Sequence, residues 1–174
     1  MNEAANMTQY LTFTLEKDEF ALEVVRVREV MDYTHITKVP RMPEHLCGVI
    51  NLRGNVVSVV DLRLKLGMEA VRKSENTCIV VVEVRIDGEM LQVGILADSV
   101  QEVIDLDDEH ISPPPRIGTK LNTHFIRGMG NRGADDFVII LDMDKVLADS
   151  CTGAVMSSDD VSAEEHQNVT LLQK

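Results

Sequence analysis

An all-β chain of two tandem five-stranded barrels is what this sequence predicts. Three observations predict it: an aliphatic, aromatic-poor core vocabulary, short apolar runs punctuated by turn chemistry, and an internal repeat. Of 174 residues 44% are hydrophobic, yet there is no Trp, with two Tyr and four Phe, so the core must be built from Val, Ile, Leu and Met. Val and Ile are stiff at χ1 and suit a pleated, half-buried surface.

The runs follow in order. Residues Tyr10 to Leu15 alternate with period two and break at Glu16 to Glu19, and Phe20 to Val24 returns as the second arm of a hairpin. Cys47 to Leu52 and Val56 to Val60 flank Arg53-Gly54-Asn55, a turn. Cys78 to Ile86 is a long β-branched run ended by Asp87-Gly88, a strong hairpin signal, and Met90 to Leu96 returns. Phe125 to Met129 and Phe137 to Leu141 form the last pair. Two short helices are expected: Leu62 to Leu66, capped by Asp61 and ended by Gly67, and Asp142 to Ala148. Val24, Val27, Val30 and Met31 recur at spacings compatible with either a helical turn or a strand.

The repeat supplies the tandem arrangement. Val27-Arg-Glu-Val-Met-Asp32, then His35-Ile36 and Pro40, is matched by Val100-Gln-Glu-Val-Ile-Asp105, then His110-Ile111 and Pro115. Cys47-Gly48, Arg53-Gly54 and Val56 to Leu62 are matched by Arg127-Gly128, Arg132-Gly133 and Phe137 to Met143. Val27 to Val100 is 73 residues and Val56 to Phe137 is 81, the drift that loop insertions produce. Units of about 70 residues sit near the lower size at which a core suffices, so the two should pack together around a groove. Curling each into a barrel avoids exposed edges. The expected organisation is an N-terminal tail over 1–8 and a body over 9–149. Within the body, subdomain 1 covers about 9–67 and subdomain 2 about 78–141, with strands exchanged between them. Residues 150–174 form an acidic tail, mobile or loosely helical.

A net charge of −12 disfavours nucleic acid and anionic membranes as partners. No secretory signal or membrane-spanning run is visible, and the chain reads as cytoplasmic. Cys47, Cys78 and Cys151 are odd in number and far apart, arguing against disulfides or structural zinc. No P-loop, Gly-rich dinucleotide loop, nucleophile elbow or zinc-protease motif is present, and neither a catalytic residue, a cofactor nor a metal is expected. His35 and His110, at equivalent repeat positions, read as turn-capping residues rather than ligands. The run Asp105, Asp107, Asp108 and Glu109 reads as a solvated loop, since its spacing fits no calcium loop.

What remains is the equipment of an adaptor: apolar anchors ringed by charge. Val27, Val30, Val100 and Val103 lie in the repeated segments near the expected seam, and read either as core or as two equivalent segments lining both walls of one groove. Gly54 is a turn residue, and Arg53 beside it is a partner contact or a solvated charge.

The stretch Gly48-Val-Ile-Asn-Leu-Arg-Gly54 followed by Val56 to Arg63 closely resembles the signature of CheW-like coupling proteins, and the similarity runs from about Tyr10 to Leu147. Ser58 stands where the family often carries Pro. The resemblance implies SH3-like barrels and a non-catalytic adaptor linking chemoreceptor signalling tips to the CheW-like domain of the chemotaxis histidine kinase. It also implies membrane-attached arrays in which self-association or rings are possible. By the same resemblance, Val27, Glu29, Arg53, Val100 and Val103 contact the receptor. Gly48 and Ile117 contact the kinase, although the loop Ser112 to Gly118 departs from family members that carry a basic residue at 112. Competing expectations are a coupling protein of another chemosensory route, such as pili or surface behaviour, and a small β-barrel enzyme or ligand binder.

Overall fold

The computed structural model describes residues 7–70, 72–114, 123–133 and 135–148. In chain order the strands are β1 (Thr8–Leu15), β2 (Asp18–Glu23), β3 (Val27–Asp32), β4 (Leu46–Leu52), β5 (Asn55–Asp61), β6 (Cys78–Ile86) and β7 (Glu89–Ala97). They continue with β8 (Ser99–Leu106), β9 (Ile111–Ser112), β10 (Ile126–Gly133) and β11 (Asp136–Leu141). Helix α1 (Leu62–Lys65) follows β5, and α2 (143–148) follows β11. The chain is mostly β, as its composition predicts.

One sheet runs β3-β6-β7-β5-β4 and the other β8-β1-β2-β11-β10-β9. Read through the repeat, these are the same order twice: β3 corresponds to β8, β6 to β1, β7 to β2, β5 to β11 and β4 to β10. Hairpin β1–β2 therefore lies in the sheet of the second repeat, and hairpin β6–β7 in the sheet of the first. The second sheet has six strands rather than five because Ile111–Ser112 pairs with Met129 and Gly130. Its counterpart in the first repeat is a single bridge, Thr37 to Val49.

The ambiguous valine segment divides between the two readings. Val24–Arg26 form a 3-10 turn, and Val27 then enters the edge strand β3. Phe125 belongs to a 3-10 turn, Thr123–Phe125, instead of the following strand. Both helices are capped by the aspartate that ends the preceding strand region: Asp61 Oδ1 accepts from the Leu64 amide at 3.3 Å, and Asp142 Oδ1 from Lys145 at 3.2 Å.

Three apolar layers result. Ile50, Val57, Val59, Ile79, Val81 and Leu96 fill the first barrel. Tyr10, Ala21, Leu106, Val138 and Ile140 fill the second. Between them lies the largest layer, including Phe13, Leu15, Phe20, Val80, Val82, Val84 and Ile95. Strand β6 shows why it reads as an unbroken apolar run: Val80 and Val82 face the central layer while Ile79 and Val81 face the barrel interior, so both faces are buried.

The sheets are also joined by two ion-pair latches, each between a helix and a corresponding inter-strand linker. Arg63 on α1 pairs with Asp98 in the β7–β8 linker, and Asp98 also accepts the Glu16 amide at 2.6 Å. Arg26 in the β2–β3 linker makes a two-pronged bond to Asp144 on α2, at 3.0 and 2.8 Å. Arg63 and Asp144 occupy matching repeat positions, so the charge order is reversed between latches. Each linker carries the charge that suits the helix it meets and would face like charge on the other. The Arg63 and Asp98 side chains are only 11% and 19% exposed, so an uncompensated charge there is costly. Arg63→Asp should destabilise the fold by about 3 kcal/mol, and adding Asp98→Arg should recover part of that loss. Urea unfolding of the single and double variants checks the coupling; strictly additive losses would show that the two groups do not interact.

Candidate protein-binding site

The β4–β5 hairpin closes with the two-residue turn Arg53-Gly54, at φ 52° and 89°. Both residues at positive φ is the turn whose twist matches the flanking strands. The Asn51 side chain supports it, accepting the Gly54 amide at 2.8 Å. From this tip Arg53 Nη1 reaches Glu29 Oε1 at 2.6 Å. Glu29 is on β3 and Arg53 follows β4, the two ends of the sheet order, so this pair spans the closure of the barrel. It is a light clasp: the Arg53 side chain is 72% exposed.

The four repeat valines divide cleanly. Val27 and Val100, the first of each pair, pack against the central apolar layer. Val30 and Val103, the second, are 44% and 51% exposed. Each segment is thus a core anchor and an outward apolar contact, a division that alternation along an edge strand produces. Val27, Glu29 and Val30 share β3, and Glu29 is the one that reaches Arg53. Val100 and Val103 lie on β8 in the other sheet, paired with Phe13 and Leu11 of β1. The common central layer places Val27 and Val100 at the seam.

Gly48 is buried on β4 at φ 145°, with the Thr37 carbonyl directly behind it. Ile117 lies outside the described residues, as do Cys151 and the 150–174 tail.

Sequence reasoning passed over a second arginine. Arg132, the repeat counterpart of Arg53, bonds Glu19 at 3.1 and 2.7 Å and Asp136 at 2.9 Å, with Glu102 at 3.8 Å. Those carboxylates hold its guanidinium above the ordinary arginine range. It lies in a cleft of about 1000 Å³ lined also by Glu19, Glu102, Asp105, His110 and Asp136. None of the six described residues expected to bind partners lines that cleft. The signal that could have found Arg132 was the repeat itself, which aligns it with Arg53.

The two repeat histidines differ. His110 Nδ1 lies 2.5 Å from Asp107 Oδ1, which also accepts the His110 amide and caps a 3-10 turn. Their hydrogen bond raises the His110 pKa and lowers that of Asp107. His35 has no such partner among the described residues, because the residue three before it, Asp32, is still in β3 opposite Cys78. Cys47 is half-buried and burial pushes its thiol up to about 11, which makes it a poor nucleophile near neutrality. Among the described residues no group of three or more His, Cys, Asp or Glu could hold a metal ion, and no helix is long and apolar enough to cross a membrane.

The described surface therefore offers an exposed arginine on a hairpin tip and one outward valine on each edge strand. The pattern that defines the CheW-like domain matches residues 9–151. The chain belongs to the CheW-like family. The chain is 34% identical over 140 residues to the chemotaxis protein CheW of Klebsiella aerogenes, covering 80% of this chain and 81% of that one. It is 35% identical over 121 residues to a probable chemotaxis protein CheW of Rhizobium etli, covering 70% and 76%. Among solved structures, the scaffolding protein TtCheW of Thermoanaerobacter tengcongensis superposes with a TM-score of 0.71 at 33% identity, covering 80% of this chain and 87% of that one. CheW-like proteins are non-catalytic adaptors, and this chain is one of them. Membership supports a coupling or scaffolding role in chemotaxis.

Proposed function

We propose that the chain couples the cytoplasmic signalling tips of chemoreceptors to the chemotaxis histidine kinase in membrane-attached arrays, and so gives receptors control of the kinase. The observation that carries this reading is Arg53, exposed on a hairpin tip and held by Glu29 alone among the described residues, with exposed Val30 next to Glu29 in the chain. A cation with a rigid base and an apolar neighbour suits a helical partner that offers a carboxylate and aliphatic side chains.

Val27, Glu29, Arg53, Val100 and Val103 form the receptor face in this reading, with Val27 and Val100 fixing the ridges from beneath. Gly48 and Ile117 belong to the kinase face. Since Gly48 is buried, it contributes the path of β4 rather than a side chain. The two subdomains then turn separate surfaces to separate partners, and the kinase partner engages through its own CheW-like domain. Regulation is a population shift, because a scaffold that favours one kinase state raises its share.

Receptor-bearing membranes mixed with the kinase test this directly. Adding the protein should carry the kinase into the membrane pellet and make its ATP-dependent phosphorylation sensitive to attractant. Kinase sedimentation and activity unchanged by the protein would refute the coupling role.

A further inference from the structure

We infer that Asn55 and Gln92 keep Arg53 available to a partner, by being uncharged where the second barrel has carboxylates. This rests on the reading of Arg53 as a receptor contact.

The two arginines occupy equivalent settings. Asn51 Oδ1 accepts the Gly54 amide at 2.8 Å, and Asn131 Oδ1 accepts the Gly133 amide at 2.9 Å. Asn51 pairs with Val56 and Asn131 with Phe137, the matching residues of β5 and β11. Each arginine has a glutamate from the edge strand, Glu29 or Glu102. Yet Arg53 is 72% exposed and Arg132 only 18%.

The difference comes from Glu19 and Asp136. Strand β2 pairs with β11 through Phe20 and Ile139, and β7 with β5 through Val93 and Ser58. Ser58 and Ile139 match in the repeat, so Val93 matches Phe20 and Gln92 matches Glu19. Asp136 precedes Phe137 as Asn55 precedes Val56. At the two positions whose carboxylates hold Arg132, the first barrel therefore carries amides of nearly the same size. An amide oxygen offers a guanidinium a neutral bond, weaker than a charge-assisted pair. Arg132 has carboxylates on both Nη groups and its Nε is buried, so an incoming acid finds no accessible donor, whereas Arg53 gives up only one exposed pair.

The chemistry permits a near-isosteric test, Asn55→Asp with Gln92→Glu, using binding of a chemoreceptor cytoplasmic fragment as the readout. The doubly substituted protein should stay folded, show slowed exchange of the Arg53 Nη protons by NMR, keep its kinase binding, and bind the receptor fragment about tenfold or more weakly. A charge-matched control, Asn76→Asp with Thr123→Glu, should bind normally, since both residues are exposed and neither lies on β3, β8 or the β4–β5 hairpin. Normal receptor binding by the Asn55→Asp, Gln92→Glu protein overturns the inference, as does an equal loss in the control. Arg53→Ala separates the two levels: if it binds the receptor fragment as the unaltered protein does, the underlying reading of Arg53 fails as well.

Discussion

Arg53→Asp should abolish receptor coupling while leaving the fold intact. The side chain is 72% exposed and its partner is a surface glutamate, so the lost ion pair is worth at most about 1 kcal/mol of stability. Backbone strain should not rise either. Residue 53 sits at φ 52°, a left-handed conformation that Asp tolerates better than most side chains. Strain does not single out this arginine, since Glu16 and Asp87 adopt the same conformation in other hairpins. Its exposure and its single carboxylate partner among the described residues do. Reversal of charge removes the cation and sets a carboxylate beside Glu29, against a partner selected for the opposite sign. Loss of a central arginine contact with added repulsion should weaken receptor binding by about a hundredfold or more. Denaturation midpoints and kinase affinity close to those of the unaltered protein, with no receptor-stimulated phosphorylation, is the expected pattern. Full stimulation would remove Arg53 from the interface.

Gly48→Ala should be among the most damaging single substitutions. An added Cβ would lie 2.1 Å from the Thr37 carbonyl oxygen and 2.9 Å from Ile36 Cγ2, at a φ of 145° that L side chains rarely adopt. Relief requires breaking the bridge in which Thr37 and Val49 exchange hydrogen bonds of 2.9 and 2.8 Å. A steric clash with backbone plus the strained dihedral amounts to about 3 kcal/mol or more. Gly128, its repeat counterpart, is backed by Ile111 and Ser112 without a positive φ, so Gly128→Ala should cost less. Gly54→Ala meets open space and should cost only about 1 kcal/mol from its positive φ. Guanidinium denaturation of the three variants gives the ranking, and a Gly48→Ala protein as stable as Gly54→Ala would contradict it. A kinase-binding defect in Gly48→Ala thus needs a stability measurement beside it, because disrupted β4 packing alone would produce one.

Much of this molecule was legible from residue order because its signals are local. Alternation in Tyr10 to Leu15, the Asp87-Gly88 turn and the Asp61 cap each report a few neighbouring residues, and the observed elements follow them. The edge strand β8 was less legible: Ser99 to Leu106 exposes Gln101, Glu102, Val103 and Asp105, and only pairing with β1 makes it a strand. The repeat carried information over longer range, since a gene duplicated once leaves matching core and turn positions. It placed Arg53 opposite Arg132 and Gly48 opposite Gly128 before any coordinate was known.

By itself the chain determined that there are two β units with shared turn chemistry and one signature segment. Only tertiary structure decided which hairpin completes which sheet, which valine of each pair faces outward, and which arginine stays exposed. Those outcomes depend on groups far apart in sequence, such as Asp98 meeting Arg63 or Glu19 meeting Arg132. Pairwise charge and steric energies fall off within a few ångströms, so they act only after the chain has brought the partners together.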